Sequence, residues 1–430
     1  MNNNLIVQPA ESISGSIAIP SSKSQTLRAI LLSSLAHGVS TIENYLPAAD
    51  TETMIEACSV LGAKITKEPG KLLIEGTSGI NFIGRKEIDA GNSGIVLRFF
   101  AGIAALSTAS ITITGDQSIQ NQRPIQPLLQ ALQKLGVHAV SKKGTGFAPV
   151  EIQGPVASYA TQVHGADSQM VSPLLLAALF LPHPLSIQVI EPGERPWIDM
   201  TLSWVKKLGG SYEHNDYAQY TVKGPGSYPG FAYCVPADFS TACFPMAAAI
   251  VTDSELHLEN LDCSEKQPDS QIIDILKRMG ASLEVNPQNR GVRIKKGKGL
   301  QGIAIDVNDC IDALPILAVL GCYASGKTHL VNGQIARTKE CDRISCMAKE
   351  LRKMGAQIEE CDDGLIITGG PLIGAQMHSH QDHRVAMSLA VAALGAKGNS
   401  QIVHSNCIAK TYPDFVSDMR KLGAAMELIP

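Results

Sequence analysis

Runs of small apolar residues with helical spacing alternate along this chain with short strand-like segments, and one junction between them recurs six times. At each junction a helix-like run ends in Leu or Met, a Gly follows, and an apolar strand pattern begins. A Gly just past the last turn of a helix adopts the left-handed conformation without the penalty of a Cβ. The pattern predicts one helix-to-strand unit used six times. The junction glycines, spaced 68 to 75 residues apart, are Gly62, Gly136, Gly209, Gly280, Gly355 and Gly423.

A polar loop opens an apolar helix in each of these repeats. Asp, Asn and Ser suit the N-cap position, where the side chain accepts a hydrogen bond from an unpaired backbone N–H. The free N–H groups and the dipole of such a terminus also attract anions. The chain is therefore predicted to carry several anion sites. The loops lie at residues 22–24, 91–94, 167–169, 237–240, 308–309 and 381–383.

The repeats also predict the domain organisation. A chain of 430 residues is too long for one ordinary core, and six repeats divide naturally into three and three. Pro20 and Pro236 stand at matching points before two of the polar loops. We expect one domain at residues 21–236 and a discontinuous second domain at residues 1–20 plus 237–430, with the active site in a cleft between them.

Composition narrows the class of protein. The net charge is −4 and aromatic residues make up 5% of the chain, whereas nucleic-acid binders usually show a basic excess or interleaved aromatics. No apolar run is long enough to span a bilayer, and the first residues lack a signal-peptide pattern. The ten cysteines lack metal-type spacing, Cys341 and Cys346 being the closest pair, and buried free thiols are expected. We expect a cytoplasmic protein without a metal, a membrane partner or a nucleic-acid partner.

The few basic residues concentrate near the predicted helix openings. Side-by-side repeats bring those openings together, and a surface lined by Arg and Lys binds phosphate or carboxylate groups. The alternative for each cation taken alone is a solvated surface charge. The residues concerned are Lys23, Arg28, Arg98, Arg123, Arg195, Arg337, Lys339, Arg343, Arg384 and Lys410.

Two acidic residues stand out against this basic background. Asp312 lies in an apolar context, and Glu340 lies between Lys339 and Arg343. Nearby cations favour ionised carboxylates whereas burial raises their pKa, so such groups can be tuned for proton transfer. The alternatives are that Asp312 caps the helix begun near Pro315 and that Glu340 forms a surface salt bridge.

A phosphate-binding loop is excluded as an explanation of residues 321–328, which match Gly-x4-Gly-Lys-Thr. A working loop of this kind leaves a strand and opens a helix. Here the preceding residues 313–320 are typical of a helix and residues 328–331 of a strand, which is the reverse order.

Six short motifs, in order and at matching spacing, resemble the enolpyruvyl transferase family over essentially the whole chain, most closely its shikimate branch. The resemblance implies two inside-out α/β barrel-like domains, each built from three βαβαββ repeats. The motifs are Pro-Ser-Ser-Lys-Ser at 20–24 with Arg28, Gly-Asn-Ser-Gly at 91–94, Arg-Pro-Ile at 123–125, Lys-Glu-Cys-Asp-Arg at 339–343, Asp-His-Arg-Val-Ala-Met at 382–387 and Lys-Thr-Tyr-Pro-Asp at 410–414.

The resemblance implies transfer of the enolpyruvyl group of phosphoenolpyruvate to the 5-hydroxyl of shikimate 3-phosphate by a monomer that needs no metal or cofactor. Asp312 would accept the hydroxyl proton, and Glu340, assisted by Lys23, would donate a proton at C3. Phosphoenolpyruvate would be bound by Lys23, Gly94, Arg123, Gln169, Arg343, Arg384 and Lys410. Shikimate 3-phosphate would be bound by Lys23, Ser24, Arg28, Ser168, Gln169, Arg195, Asp312 and Lys339.

Some positions depart from the family pattern. Asp167 and Glu194 stand where serines are usual and would repel a phosphate unless they turn away or pair with Arg195. Ile95 and Trp197 are also unusual beside the two ligand loops. The alternatives are a different hydroxylated phospho-substrate, suggested by the two acids, and UDP-N-acetylglucosamine, whose enzymes usually carry Cys where this chain has Ser118. A non-catalytic anion-binding repeat protein is the remaining alternative.

Overall fold

The computed structural model describes residues 3–80, 82, 84–263, 267–286 and 291–429. The chain forms two compact units. The inserted unit is Ser21–Val235, and the discontinuous unit is Met1–Pro20 with Pro236–Pro430. The sequence-based boundary lay one residue later, after Pro236. Two strands of the discontinuous unit, β1 (Asn4–Val7) and β2 (Ser14–Ala18), precede the inserted unit along the chain.

The inserted unit alternates helices with pairs of short strands. Its helices are α1 (Lys23–Leu35), α2 (Ala49–Leu61), α3 (Gly94–Ala104), α4 (Gln117–Asn121), α5 (Gln126–Lys134), α6 (Ser168–Ala177) and α7 (Arg195–Lys207). Its strands are β3 (Val39–Glu43), β4 (Lys64–Glu68), β5 (Lys71–Glu75), β6 (Lys86–Asp89), β7 (Ile111–Thr114), β8 (His138–Ser141), β9 (Val150–Gln153), β10 (Ala160–His164), β11 (Leu185–Ile190), β12 (Ser211–Asn215), β13 (Gln219–Lys223) and β14 (Ala232–Cys234).

The discontinuous unit continues with the same alternation. Its helices are α8 (Phe239–Val251), α9 (Ile272–Arg278), α10 (Leu314–Tyr323), α11 (Arg343–Lys353), α12 (His383–Leu394) and α13 (Phe415–Lys421). Its further strands are β15 (Glu255–Glu259), β16 (Ser282–Asn286), β17 (Gly291–Lys295), β18 (Leu300–Gln301), β19 (Ala304–Asp306), β20 (Ala324–Ser325), β21 (Lys327–Val331), β22 (Gln357–Cys361), β23 (Gly364–Thr368), β24 (Gln376–His378), β25 (Ser400–Val403) and β26 (Met426–Ile429).

One four-stranded sheet topology is used six times among the described residues. In each sheet the first two strands are parallel and the next two pairings are antiparallel, as for β6, β7, β9 and β8. With the intervening helices this gives the βαβαββ repeat. The sheet orders in the inserted unit are β14-β3-β5-β4, β6-β7-β9-β8 and β10-β11-β13-β12; those in the discontinuous unit are β2-β15-β17-β16, β19-β21-β23-β22 and β24-β25-β1-β26.

The discontinuity arises at two strands, β2 and β14. Each leads along the chain into one unit but pairs with a strand of the other, and we call them the exchanged strands. Strand β2 leads directly into α1 of the inserted unit but pairs with β15 of the discontinuous unit. Strand β14 leads into α8 of the discontinuous unit but pairs with β3 of the inserted unit. Strand β2 forms the parallel edge of a sheet in the discontinuous unit, and β14 forms the parallel edge of a sheet in the inserted unit.

The predicted glycine junctions are confirmed. All six junction glycines have positive φ, between 84° and 109°, and each is followed within three residues by a strand. Gly62, for example, ends α2 in the left-handed conformation and donates its N–H to the carbonyl groups of the last turn. The repeat follows from this local chemistry because only Gly adopts that conformation without strain.

Within a repeat one helix is buried on every side and the other is amphipathic. All twelve residues of α12 are buried, whereas α11 has a polar exposed face. The buried helices of the three repeats together form the core of each unit, and the sheets lie around these central helices. The predicted helix opening at residues 308–309 is wrong in detail: a 3-10 helix (Asn308–Ala313) intervenes before α10. Across the part of the chain that the structure describes, no helix has the length and hydropathy to cross a bilayer.

Candidate active site

Three central helices of the inserted unit begin at predicted ligand residues. Helix α1 begins at Lys23, α3 at Gly94 and α6 at Ser168. Their N-caps Ser22, Ser93 and Asp167 accept hydrogen bonds from backbone N–H groups of the first turn. The sequence therefore folds here in the way that its polar loops predicted, and it puts the polar residues at the ends of buried helices.

Gly94, Arg98, Arg123 and Gln169 form a compact group that we call the arginine cluster. Arg98 Nη1 donates to Gln169 Oε1 at 2.8 Å. A Cβ added to Gly94 would lie 3.0 Å from Arg98 Nη1 and 3.8 Å from Arg123 Nη1. The missing side chain at Gly94 thus leaves room beside two buried guanidinium groups, which is a suitable place for an anion.

Glu194 occupies the start of α6. Its Oε2 accepts hydrogen bonds from the backbone N of Ser168 at 2.8 Å and from Ser168 Oγ at 2.7 Å, and the side chain is buried. Glu194 has φ 49°, the left-handed region that non-glycine residues seldom adopt. Asp167 is also turned toward the protein, because it caps α6 and lies 3.7 Å from Arg98 Nη2. Both acids are therefore accommodated as local caps, and the start of α6 already holds a carboxylate.

The remaining predicted ligands of this unit differ in exposure. Arg28 is buried; its Nε and Nη2 donate to Thr201 Oγ1, and desolvation by burial lowers its pKa to about 9. Lys23 Nζ lies 3.5 Å from the buried Asp50. Arg195 is exposed, with its guanidinium 5.4 Å from the centre of the Tyr217 ring. Arg28 thus fastens α1 to α7, a packing role that the sequence did not indicate.

Arg343 is the centre of an ion-pair network in the discontinuous unit. Its Nε donates to Asp382 Oδ2 at 2.7 Å, its Nη1 to Asp312 Oδ1 at 2.7 Å and its Nη2 to Glu340 Oε2 at 2.9 Å. The guanidinium is buried, and although burial alone would lower the pKa of Arg343, these carboxylates raise it well above its usual value. Arg343 is therefore permanently charged and fixes three acids around it.

Asp312 bridges two arginines. In addition to its bond with Arg343, its Oδ2 lies 2.7 Å from Arg384 Nη2. Burial acts to raise the pKa of Asp312, but the positive charges of Arg384, Arg343 and Lys339 outweigh it and hold the pKa below its usual value. The free protein therefore keeps Asp312 ionised.

Glu340 bridges Arg343 and the last predicted ligand of this unit. Its second oxygen lies 3.2 Å from Lys410 Nζ, and its side chain is 9% exposed. The surface salt-bridge alternative for Glu340 is therefore wrong. The capping alternative for Asp312 is also wrong, since α10 has Ala313 as its N-cap and no side-chain capping bond.

The structure adds groups that the motifs did not single out. Asp269 is buried, accepts a hydrogen bond from Ser240 Oγ, and has its pKa raised to about 7 by desolvation and the neighbouring Asp312. Asp382 caps α12 and holds Arg343 at the same time. The N-cap pattern was a signal for Asp382, whereas nothing in the local sequence marked Asp269. Among the described residues no set of three or more His, Cys, Asp or Glu is placed to hold a metal ion.

The inserted unit has a buried helix start beside guanidinium groups, and the discontinuous unit has acids that each bridge two cations. These features are typical of the class of proteins that bind polyanionic substrates and transfer protons. Residues 7–419 match the EPSP synthase (3-phosphoshikimate 1-carboxyvinyltransferase) family. The chain belongs to this family. The resemblance to the shikimate branch of enolpyruvyl transferases is therefore confirmed.

Curated relatives are similar over almost their entire length. The 3-phosphoshikimate 1-carboxyvinyltransferase of Chlamydia caviae is 42% identical over 418 residues, which cover 97% of this chain and 93% of the relative. That of Acetivibrio thermocellus is 41% identical over 411 residues, with 96% of both chains covered. The EPSP synthase of Acinetobacter baumannii superposes with a TM-score of 0.84 at 27% identity over 100% of both chains. The predicted fold class is thereby confirmed.

Proposed function

We propose that this protein transfers the enolpyruvyl group of phosphoenolpyruvate to the 5-hydroxyl of shikimate 3-phosphate and releases phosphate. Membership of the EPSP synthase family supports the reaction. The observation that carries the assignment to this chain's residues is that Asp312 and Glu340 are each held between two cations. Arg343, Arg384 and Lys410 can therefore exchange these acids for the carboxylate and phosphate of an incoming substrate.

Substrate binding would convert Asp312 into a base. In the free protein Arg343 and Arg384 keep its pKa low, so the carboxylate is a weak proton acceptor. A phosphoenolpyruvate carboxylate that engages these arginines would withdraw positive charge from Asp312 and raise its pKa. Asp312 would therefore gain basicity only when the substrate that needs it is present.

The proton transfers then balance as an addition and an elimination. Glu340 delivers a proton to C3 of phosphoenolpyruvate, the 5-hydroxyl attacks C2, and Asp312 accepts the hydroxyl proton. In the elimination C3 returns one proton to Glu340, Asp312 passes its proton to the departing phosphate, and Lys23, Arg123 and Lys410 neutralise the leaving charge. Catalysis of this kind depends on positioning and on electrostatic stabilisation.

The second substrate would bind at the start of α6. The proposed contacts of shikimate 3-phosphate are Lys23, Ser24, Arg28, Ser168, Gln169, Arg195, Asp312 and Lys339. Those of phosphoenolpyruvate are Lys23, Gly94, Arg123, Gln169, Arg343, Arg384 and Lys410. A phosphate bound by Ser168 must take the place of the Glu194 carboxylate, which now accepts both Ser168 hydrogen bonds. Glu194 is thus an internal competitor for the substrate phosphate. We also propose that the enzyme acts as a cytoplasmic monomer.

The test is phosphate release from phosphoenolpyruvate with three acceptors in parallel: shikimate 3-phosphate, unphosphorylated shikimate and UDP-N-acetylglucosamine. We expect release only with shikimate 3-phosphate. Release with UDP-N-acetylglucosamine alone would assign the sister activity. If none of the three acceptors gives phosphate release, and the folded protein still binds phosphoenolpyruvate by calorimetry, the proposed acceptor is wrong. Asp167 and Glu194 would then be the positions to examine for a different acceptor.

A further inference from the structure

Two cysteines meet at the start of α11, outside the acid and base roles already described. Asp342 is the N-cap of this helix and accepts from Ser345 N at 3.0 Å. Cys341 directly precedes the cap, and Cys346 is the fourth residue of the helix. Side chains at these two positions pack against each other at capped helix starts. Here the two thiols interact directly, because each shifts the pKa of the other.

A histidine and a buried carboxylate lie near Cys346. His380 lies next to Cys346 and lowers the pKa of its thiol, and His380 Nε2 lies 2.9 Å from Glu350 Oε1. Glu350 is one turn further along α11 and is fully buried. This order of thiol, imidazole and carboxylate is the arrangement that activates a nucleophilic cysteine.

The backbone around the imidazole is held in an unusual conformation. His380 and Gln381 have φ 51° and 56°, consecutive left-handed residues without glycine. The N–H of His380 donates to His378 Nδ1 at 2.7 Å, and the N–H of His378 donates to Glu350 Oε2 at 2.9 Å. Strain of this kind persists where the surroundings fix it, and it concentrates at functional positions.

The electrostatics agree with the geometry. The neighbouring Cys341 and then His380 lower the pKa of Cys346 to about 6, although partial burial acts against them. The pKa of His380 is raised to about 9 by its bonds to Cys346 and Glu350. Both shifts favour a thiolate at Cys346 and an imidazolium at His380 near neutral pH. Cys361, another half-buried cysteine, has its pKa raised by desolvation and nearby acids.

We propose that Cys346 is a second reactive site of this protein, a thiolate that reduces a hydroperoxide and then closes a disulfide with Cys341. In the first step the thiolate attacks the peroxide oxygen, the O–O bond breaks, and Cys346 becomes a sulfenic acid as an alcohol or water departs with a proton. In the second step the Cys341 sulfur attacks the sulfenic sulfur and water leaves. Two thiols are oxidised and one peroxide bond is reduced.

The disulfide would act on the neighbouring ion-pair network. Cys341 lies between Glu340 and Asp342, and its thiol is 3.8 Å from Asp382 Oδ2, which holds Arg343. Oxidation removes this S–H donor and ties the segment bearing Glu340 to the first turns of α11. We expect slower turnover in the oxidised protein. This consequence rests on the proposed function, whereas the thiol chemistry stands independently of it.

The first experiment measures reactivity. Wild-type protein is treated with limiting iodoacetamide across pH 5–9, and alkylation of each cysteine is quantified by peptide mass spectrometry. We expect Cys346 to react at least about tenfold faster than Cys361 at pH 6–7, with a midpoint near pH 6 that His380→Asn raises. Equal rates for Cys346 and Cys361, or a midpoint unchanged in His380→Asn, would overturn the activation by His380.

The second experiment measures the disulfide. One equivalent of hydrogen peroxide should lower the mass of wild-type protein by about 2 Da and yield a linked Cys341–Cys346 peptide that dithiothreitol removes. Cys341→Ser should stop at a sulfenic acid trapped by dimedone, and Cys346→Ser should form neither product, while Cys361→Ser behaves as wild type. Absence of the linked peptide in wild-type protein would overturn the proposal.

Phosphate release is measured on the same samples before oxidation, after it and after reduction. We expect oxidation to lower the activity of wild-type protein and dithiothreitol to restore it, whereas Cys346→Ser should lose no activity on oxidation. This result would support an effect of the disulfide on the ion-pair network. Linked peptide with unchanged activity would overturn that effect. A protein without phosphate release at any stage would refute the proposed function, and the peptide analysis would still decide the thiol chemistry.

Discussion

Single carboxylates are central to the chemistry that we propose for this protein, and each is defined by its contacts. Asp312 lies between Arg343 and Arg384, and Glu340 lies between Arg343 and Lys410. Their sequence contexts suggested tuned acids but equally suggested a cap and a surface pair. Only the side-chain distances separate these alternatives, because arginines 31 and 72 positions further along the chain close around Asp312.

Replacing Asp312 by Asn should lower turnover by about 10²- to 10⁴-fold, the usual contribution of a general base. Phosphoenolpyruvate should still bind, because Arg343 and Arg384 remain and lose an internal competitor. The measurements are steady-state phosphate release and calorimetric titration, with the exposed Asp362→Asn as the matched control. Turnover close to that of the wild type would remove Asp312 from the role of base.

Replacing Glu194 by Gln should tighten binding of shikimate 3-phosphate. The substitution removes a negative charge from the start of α6, where a charge is worth about 1 kcal/mol, or roughly a fivefold change in affinity. Isothermal titration with shikimate 3-phosphate measures the effect, and the exposed Glu191→Gln is the control. Weaker binding in Glu194→Gln would mean that the carboxylate positions Ser168 for the substrate instead of competing with it.

At the scale of elements, helix ends decide both the fold and the site. The glycine that ends an amphipathic helix and the Asp or Ser that begins a central helix were readable from sequence because each acts within a few residues. The contact between Glu194 and Ser168 was not readable, because it joins two helix starts 26 residues apart and depends on a left-handed backbone at Glu194. The 3-10 helix before α10 was missed for a similar reason: its kink at Cys310 has no local composition signal.

Gly355→Ala should lower the free energy of unfolding by about 1–2 kcal/mol, because the residue ends α11 with φ 88° and an added Cβ is strained there. The added methyl would meet nothing closer than Ile373 at 3.9 Å, so the loss reports backbone conformation and not a clash. Urea denaturation provides the measurement. Gly370→Ala, where φ is not left-handed and the added Cβ would have no neighbour within 4 Å, should change stability little.

The Glu350–His380 pair should make stability depend on pH in a defined window. The pKa of Glu350 is lowered to about 2, because hydrogen bonds from His380 and Lys353 outweigh burial, so its contribution is present above its ordinary range and is lost as pH falls toward 2. The pKa of His380 is raised to about 9, so its contribution is full below about 6.5 and is lost as pH rises through 9. Both contributions are present together near pH 5–6.

Melting temperatures of wild type and Glu350→Gln across pH 3–10 test this window. The difference between them should be greatest near pH 5–6, where loss of charged hydrogen bonds costs about 1.5–3 kcal/mol, and should shrink toward both extremes. A difference that stays constant over the whole range would assign the loss to packing.

For the molecule as a whole, the sequence predicted the number of repeats and the discontinuous chain path from a periodic local signal. It could not predict which side chains of different repeats meet, since those contacts depend on the packing of helices far apart in sequence. The arginine cluster lies in the inserted unit and the ion-pair network lies in the discontinuous unit. The proposed function requires both to act on the same substrate.

Arg123→Ala in the inserted unit and Lys410→Met in the discontinuous unit should therefore each weaken phosphoenolpyruvate binding. Loss of one charge-assisted hydrogen bond corresponds to about 10- to 100-fold in affinity. Calorimetry in the presence of shikimate 3-phosphate measures it, and thermal melting shows how much of each effect is a loss of stability. A variant that melts lower yet binds phosphoenolpyruvate normally would assign that residue a structural role.

The exchanged strands have a consequence for how the protein is made on the ribosome. Residues 21–235 can complete their three sheets as soon as β14 emerges, whereas β2 must wait for β15, and β1 must wait for β25 and β26, which are translated more than 390 residues after it. At about 5–20 residues per second, β1 stays without its sheet for roughly 20–80 seconds. During this time β1 and β2 lack their partner strands while residues 21–235 can already fold, and these two unpaired strands are where we expect a chaperone to bind during synthesis.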